Sequence, residues 1–130
     1  MLFIVIPYRN REKHLHNIIE CLYYRFREKN IPIFIFVSEQ ANNNPFNVGF
    51  CRNIGFDMGL KILRGMGLKP DKVLFNDVDC YPETELAVQE YCKNVDNGFV
   101  NHIYGRSMGF YGGIWSISIS DFKNHECTRW

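Results

Sequence analysis

Two aspartates one residue apart carry the clearest chemistry in this sequence. Asp77 and Asp79 lie in the stretch Val73-Leu74-Phe75-Asn76-Asp77-Val78-Asp79-Cys80-Tyr81-Pro82, which opens on an apolar run and closes on proline. Their carboxylates are hard oxygen donors, which suit Mg2+ or Mn2+, and such an ion can neutralise a diphosphate. The plainer reading is a turn or helix cap, to which aspartate is equally suited. A second group is cationic. Pro7-Tyr8-Arg9-Asn10-Arg11 follows another apolar run, and Arg9 and Arg11 can make charge-assisted bonds to phosphate beside a helix N-terminus. A solvated loop before a capped helix is the alternative. Gly112-Gly113, with Tyr111 before and Trp115 after, lets a flat ligand approach the backbone beside an aromatic wall, or forms a bulge or strand-entry turn.

The elements that would position these residues are legible in the apolar pattern. Leu2 to Ile6 is a continuous apolar run, as in a central parallel strand buried on both faces, and Pro7 is expected to end it. Leu15, Ile18, Ile19, Leu22 and Phe26 then recur at helical spacing to about Glu28, with Asn10 as the expected N-cap. Ile31 to Val37 reads as a second buried strand. A polar loop, Ser38 to Pro45, follows it. A helix is expected from Phe46 or Asn47 to about Met66, where Gly55 and Gly59 permit close approach to a neighbour. Lys72 to Phe75 is a short buried strand that delivers Asp77 and Asp79 at its carboxyl end, where open α/β sheets place their ligand crevice. A short helix from Glu83 to Cys92, strands at Gly98 to Ile103 and Ile114 to Ile119, and a last helix from Ser120 or Asp121 complete the pattern. The fold class is α/β, a Rossmann-like, mostly parallel sheet flanked by helices, in a single domain over residues 1–130.

Composition narrows the function. A net charge of +1 argues against a nucleic-acid partner. No stretch approaches membrane-spanning length, and the short apolar start reads as a strand rather than a signal peptide. Five cysteines without a C-x-x-C pair suggest free thiols in a reducing compartment. On these grounds the chain as written is expected to be cytoplasmic, or in the secretory pathway if it is a fragment of a longer protein. Neither a dinucleotide fingerprint nor a P-loop follows the first strand, so arginine and metal would hold any phosphate. His14 and His16 read as surface helix residues. His125 and Cys127 are a weak metal pair.

Four motifs, in order, resemble the β-1,4-galactosyltransferase family, which has a glycosyltransferase-A fold. Phe3 to Leu15 is similar to the family's I-I-P-[FY]-R-N-R-x-x-H-L opening. Gln40-Ala41, Phe46-Asn47 and Asn53-Ile54-Gly55-Phe56 resemble its Q-x…F-N-R-x-x-x-x-N-x-G-[FY] helix. Phe75 to Pro82 resembles F-x-D-V-D-x-x-P, and Tyr111 to Ile114 with Phe122 resembles [YF]-G-G-[VI]…F. The resemblance implies a UDP-sugar donor (galactose or an N-acetylhexosamine), Mn2+ held partly by Asp79, and transfer to an acceptor hydroxyl with inversion. By this resemblance, with the residue reading beside it, nucleotide-sugar contacts fall on Pro7, Tyr8, Arg9, Arg11, Phe46, Arg52, Asp77, Val78, Gly112 and Gly113, and the metal on Asp77 and Asp79. The family's arginine after F-N falls on Val48. Arg52, one turn later and about 40° round the helix, is the substitute by hypothesis.

The family's W-G-W-G-x-E-D-D segment, which holds the acceptor and the catalytic carboxylate, has no counterpart in Glu126-Cys127-Thr128-Arg129-Trp130. No catalytic base is assigned; Asp121 and Glu126 qualify by type alone. Two readings therefore lead. One is a metal-dependent transferase acting on a glycan or glycoconjugate acceptor. The other is a non-catalytic or partner-dependent nucleotide-sugar-binding module, with a partner chain supplying the acceptor half. A plain α/β interaction domain is the third.

Overall fold

The computed structural model describes residues 1–104 and 113–124. Their elements run β1 (Leu2–Tyr8), α1 (Glu12–Arg27), β2 (Ile33–Glu39), α2 (Val48–Gly65), β3 (Lys72–Asn76), α3 (Glu85–Cys92), β4 (Val100–Tyr104), β5 (Ile114–Ser118) and α4 (Ile119–Asn124). The five strands form one mixed sheet in the order β2-β1-β3-β5-β4. β1 pairs in parallel with β2 and β3, while β5 runs antiparallel to both β3 and β4. Only β5 is reversed, so four strands share one direction.

Strand alternation sorts the core into two layers. On one face Leu2, Ile4 and Ile6 of β1 and Leu74 of β3 pack with Ile18, Leu22 and Phe26 of α1 and Val88 and Tyr91 of α3. On the other, Phe3, Val5, Val73, Phe75, Trp115 and Ile117 pack with Phe56, Leu60 and Leu63 of α2 and Phe122 of α4. Helix α2 lies very close to the sheet because it presents glycine to it. A Cβ on Gly55 would stand 2.4 Å from Val5 Cγ1, and one on Gly59 would stand 2.6 Å from the Phe3 ring.

Three local expectations are corrected. β1 does not stop at Pro7 but continues to Tyr8, paired with β2 through Pro7↔Ser38 and Tyr8↔Glu39. Its pairing to β3 covers Phe3 to Val5, so Pro7 lies where β1 is bonded on one side, and there a missing N–H costs little. Asn10 is not a cap. It takes a left-handed φ of 53°, which asparagine tolerates, and Arg11 occupies the N-cap without a side-chain cap bond. β2 is half-buried rather than buried, because it is the sheet's edge. No helix among the described residues is long and apolar enough to cross a membrane.

The chain's order creates a crevice. From β1 the chain crosses to β2 on one side, and from β2 it crosses back over β1 to β3 on the other. The carboxyl ends of β1 and β3 therefore diverge into loops that turn away from each other, the switch point at which such sheets bind ligands.

Candidate functional site

A cleft of about 580 Å³ opens at that switch point, lined by Pro7, Arg9, Asn10, Arg11, Phe46, Val48, Arg52, Asp77, Val78 and Asp79. Eight of the residues expected to contact ligand or metal line it: Pro7, Arg9, Arg11, Phe46, Arg52, Asp77, Val78 and Asp79. Tyr8 does not. Strand alternation sends it to the α1 side, where it borders a separate groove with Leu15, Ile19, Tyr23 and Tyr24. Gly113 sits beside the cleft at the start of β5, and Gly112 lies outside the described residues, as do Tyr111, His125, Glu126 and Cys127. Asp121 is elsewhere, accepting from the Gly98 backbone N–H at 2.7 Å.

The two aspartates have different surroundings. Asp77 is built into the protein. Its Oδ2 accepts the Gly113 N–H at 2.8 Å, its own N–H donates to Gly113 O at 2.8 Å, and its Oδ1 meets Arg52 Nη2 at 3.4 Å. Gly113 holds φ at +79°, a conformation that favours glycine, as it makes this pair. Asp79 is exposed, and among the described residues its Oδ1 accepts a weak contact from Cys80 Sγ at 3.6 Å. Ligand atoms of Asp77, Asp79 and Cys80 all lie within 4.8 Å of one another. The carboxylate oxygens fit Mg2+ or Mn2+, ions that leave several positions to phosphate and water.

Arg52 is the most unusual group. It rises from the first turn and a half of α2, is only 7% exposed, and stacks its guanidinium over Trp115 at 5.3 Å. Its Nε has no hydrogen-bond partner among the described residues. A buried N–H left without an acceptor costs about 1–3 kcal/mol. Trp115, expected as a wall for a flat ligand, instead supports Arg52 from below.

Two hubs that the sequence reading did not single out hold the cleft in shape. Asn76, fully buried at the end of β3, donates from Nδ2 to the carbonyls of Asp77 and Cys80, both at 2.9 Å, and accepts from the Tyr91 hydroxyl. Gln40 accepts the Asn47 N–H at 2.8 Å and donates to Asn42 Oδ1 at 2.9 Å and to the carbonyls of Asn44 and Pro45, both at 3.2 Å. Arg9 fastens the same loop through the Asn42 and Asn44 carbonyls and lies 5.5 Å from the Phe46 ring. Phe46 thus stands at the rim, exposed but backed by a cation. Nor is His14 a free surface residue, because its Nδ1 lies 3.1 Å from Tyr81 Oη and ties α1 to the aspartate turn. Burial pushes the Tyr91 hydroxyl and the Cys21 and Cys51 thiols up from their ordinary values and pulls the Lys72 ammonium down. None of these four lines the cleft.

Asn76→Ala tests the first hub. It removes both turn carbonyls' donor and strands the buried Tyr91 hydroxyl, so stability to urea is expected to fall by about 2 kcal/mol.

The fold, with its cleft at the switch point, is of the glycosyltransferase-A type. The solved structure of a Drosophila β-1,4-galactosyltransferase 7 mutant, in complex with manganese, UDP-Gal and xylobiose, superposes with a TM-score of 0.77 at 21% identity, over 94% of this chain and 50% of that one. A glycosyltransferase involved in glycosylating the major capsid of PBCV-1 superposes at 0.62 and 13% identity, over 96% of this chain and 63% of that one. More specifically, residues 1–93 match the N-terminal region of glycosyl transferase group 7, and the chain belongs to that family. Human β-1,4-galactosyltransferase 4 is 31% identical over 123 residues, 92% of this chain and 34% of the relative. A β-1,4-N-acetylglucosaminyltransferase of Lymnaea stagnalis is 35% identical over 79 residues, 61% of this chain and 15% of that protein. The chain spans about a third of the length of human β-1,4-galactosyltransferase 4.

Proposed function

We propose that this chain forms the donor half of a metal-dependent hexosyltransferase, binding a UDP-sugar (galactose or an N-acetylhexosamine) for inverting transfer to a hydroxyl of a glycan or glycoconjugate acceptor. The observation that carries this reading is the buried Arg52, its Nε unpartnered among the described residues, in one cleft with the exposed carboxylate of Asp79. Phe46 offers the flat face a base needs. Arg52, and Arg11 at the N-terminus of α1, offer charge to the diphosphate. Asp79, with Asp77 behind it, would hold Mn2+ or Mg2+, which supplies charge stabilisation to the departing diphosphate. Gly113, and Gly112 by resemblance, fall on the donor-sugar side. Arg9 acts chiefly through the loop, since its guanidinium already serves two carbonyls.

A second reading is a nucleotide-sugar-binding module completed by an acceptor half from another segment or chain. It is favoured by the carboxylates of the cleft. Among the described residues, Asp77 and Asp79 are the carboxylates that line it, and this reading gives both to the metal. That leaves the acceptor's base to be supplied from elsewhere.

Calorimetric titration with UDP, with and without Mn2+, tests the shared core of both readings. Metal-dependent binding is expected. Well-folded protein that binds no UDP with Mn2+ present would sink both. Turnover with a panel of acceptors then separates a transferase from a module. Arg52→Lys is expected to weaken UDP binding about 10- to 100-fold, the worth of a charge-assisted bond. Lysine keeps the charge but lacks both Nε and the planar group that stacks on Trp115.

A further inference from the structure

Resting on the donor-site reading above, we propose that Cys80 adds a sulfur ligand to the cation site of Asp77 and Asp79, so that the site favours thiophilic divalent ions such as Zn2+, Co2+ and Cd2+ over Mg2+. Three observations carry this. First, Cys80 Sγ belongs to the same cluster as the two carboxylates, within 4.8 Å of both. Second, its distance from Asp79 Oδ1 is 3.6 Å. Oxygen and sulfur bound to one tetrahedral ion at about 2.1 and 2.3 Å lie about 3.6 Å apart, so the two atoms already have the spacing of co-ligands. Third, the turn that presents them is fixed rather than loose. Cys80 N donates to Asp77 O at 3.1 Å, and Asn76 Nδ2 clamps the carbonyls of both residues at 2.9 Å. Independently, Arg52 lines this cleft, is 7% exposed and has an Nε without a hydrogen-bond partner among the described residues; such a cation suits an anion, and an anion of the diphosphate class brings a metal cation with it.

The chemistry follows from donor softness. Carboxylate oxygens alone leave Mg2+ and Mn2+ competitive, whereas one thiolate among them shifts preference toward ions that bind sulfur well. On coordination the thiol proton passes to solvent and the sulfur binds as thiolate. The simpler alternative is that Cys80 merely donates a weak S–H hydrogen bond to Asp79, which serine would reproduce.

The test is spectroscopic and needs no turnover. The reduced full chain, its Cys80→Ser variant and its Cys80→Ala variant are titrated with Co2+, Cd2+ and Mg2+. Wild type is expected to develop a near-ultraviolet sulfur-to-cobalt charge-transfer band that both variants lack. Outer-shell partners alone are worth about 10- to 100-fold in metal affinity, so Cd2+ affinity should fall by at least that much, while Mg2+ affinity holds. Saturation of wild type with Co2+ and no such band overturns the proposal, without relying on any variant. So does a band that survives in Cys80→Ser. In either of those cases, retained Mn2+-dependent UDP binding leaves the donor-site reading standing. If none of these ions nor Mn2+ binds at all, both fall together.

Discussion

Asp79→Asn is expected to abolish Mn2+-dependent UDP binding while leaving the fold intact. The side chain is exposed and, among the described residues, makes one long contact with Cys80, so the fold should tolerate loss of its charge. Outer-shell partners are worth about 10- to 100-fold in metal affinity, and loss of a direct carboxylate should exceed about 100-fold. Calorimetry with and without metal reads the effect. Asp77→Asn should behave differently. Its carboxylate accepts from Gly113 and faces Arg52, and an amide cannot keep both contacts, because its nitrogen only donates. That variant should therefore lose stability as well as binding. If Asp79→Asn lost both and Asp77→Asn neither, the roles drawn here would be reversed.

Gly55→Ala is expected to destabilise the protein by about 3 kcal/mol, the upper range for overpacking a core. On an exposed helix the same change would help by about 1 kcal/mol. The added Cβ, however, meets Val5 Cγ1 at 2.4 Å and Ser38 Cβ at 3.1 Å. Val5 is fully buried in β1, and a β-branched side chain there has little freedom to turn aside. Gly65 is the internal control. A Cβ there meets nothing within 4 Å, so Gly65→Ala should stabilise by about 0.5–1 kcal/mol. Urea midpoints for the two variants should move in opposite directions, and movement in the same direction would contradict the close seating of α2.

The strands and helices were legible because each buries a face whose periodicity is written locally. β1 and β3 are unbroken apolar runs, and α1 repeats its core residues every turn. The cleft was legible too, since Arg9, Asp77 and Asp79 stand at element ends, where sheets of this kind bind ligands, while Phe46 rested on the family resemblance. Residues whose partners lie far away in sequence were harder to read. Asn76 meets Tyr91 15 residues on, and Asp77 meets Gly113 36 residues on; no local pattern encodes such pairs. In the sequence Gln40 is one letter of a motif, whereas its contacts make it the hub of its loop. The family resemblance carries Tyr8 to the ligand with the whole Pro7 to Arg11 segment, but in a strand adjacent residues face opposite ways, and Tyr8 borders the groove on the α1 side. The extent of β1 depends on where β3 stops pairing with it, which Pro7 alone does not reveal.

The loop held by Gln40 and Arg9 bears on how a nucleotide would arrive. Residues 40–47 are tied by side-chain bonds to their own carbonyls and amides before any ligand is present. The conformational entropy of the segment carrying Phe46 is therefore surrendered when the chain folds, not when it binds. On the proposed reading, a base stacking on that ring would meet a preorganised surface, and little of the stacking energy would be spent on ordering the loop. Affinity gained in this way resides in a slow off-rate rather than a fast on-rate.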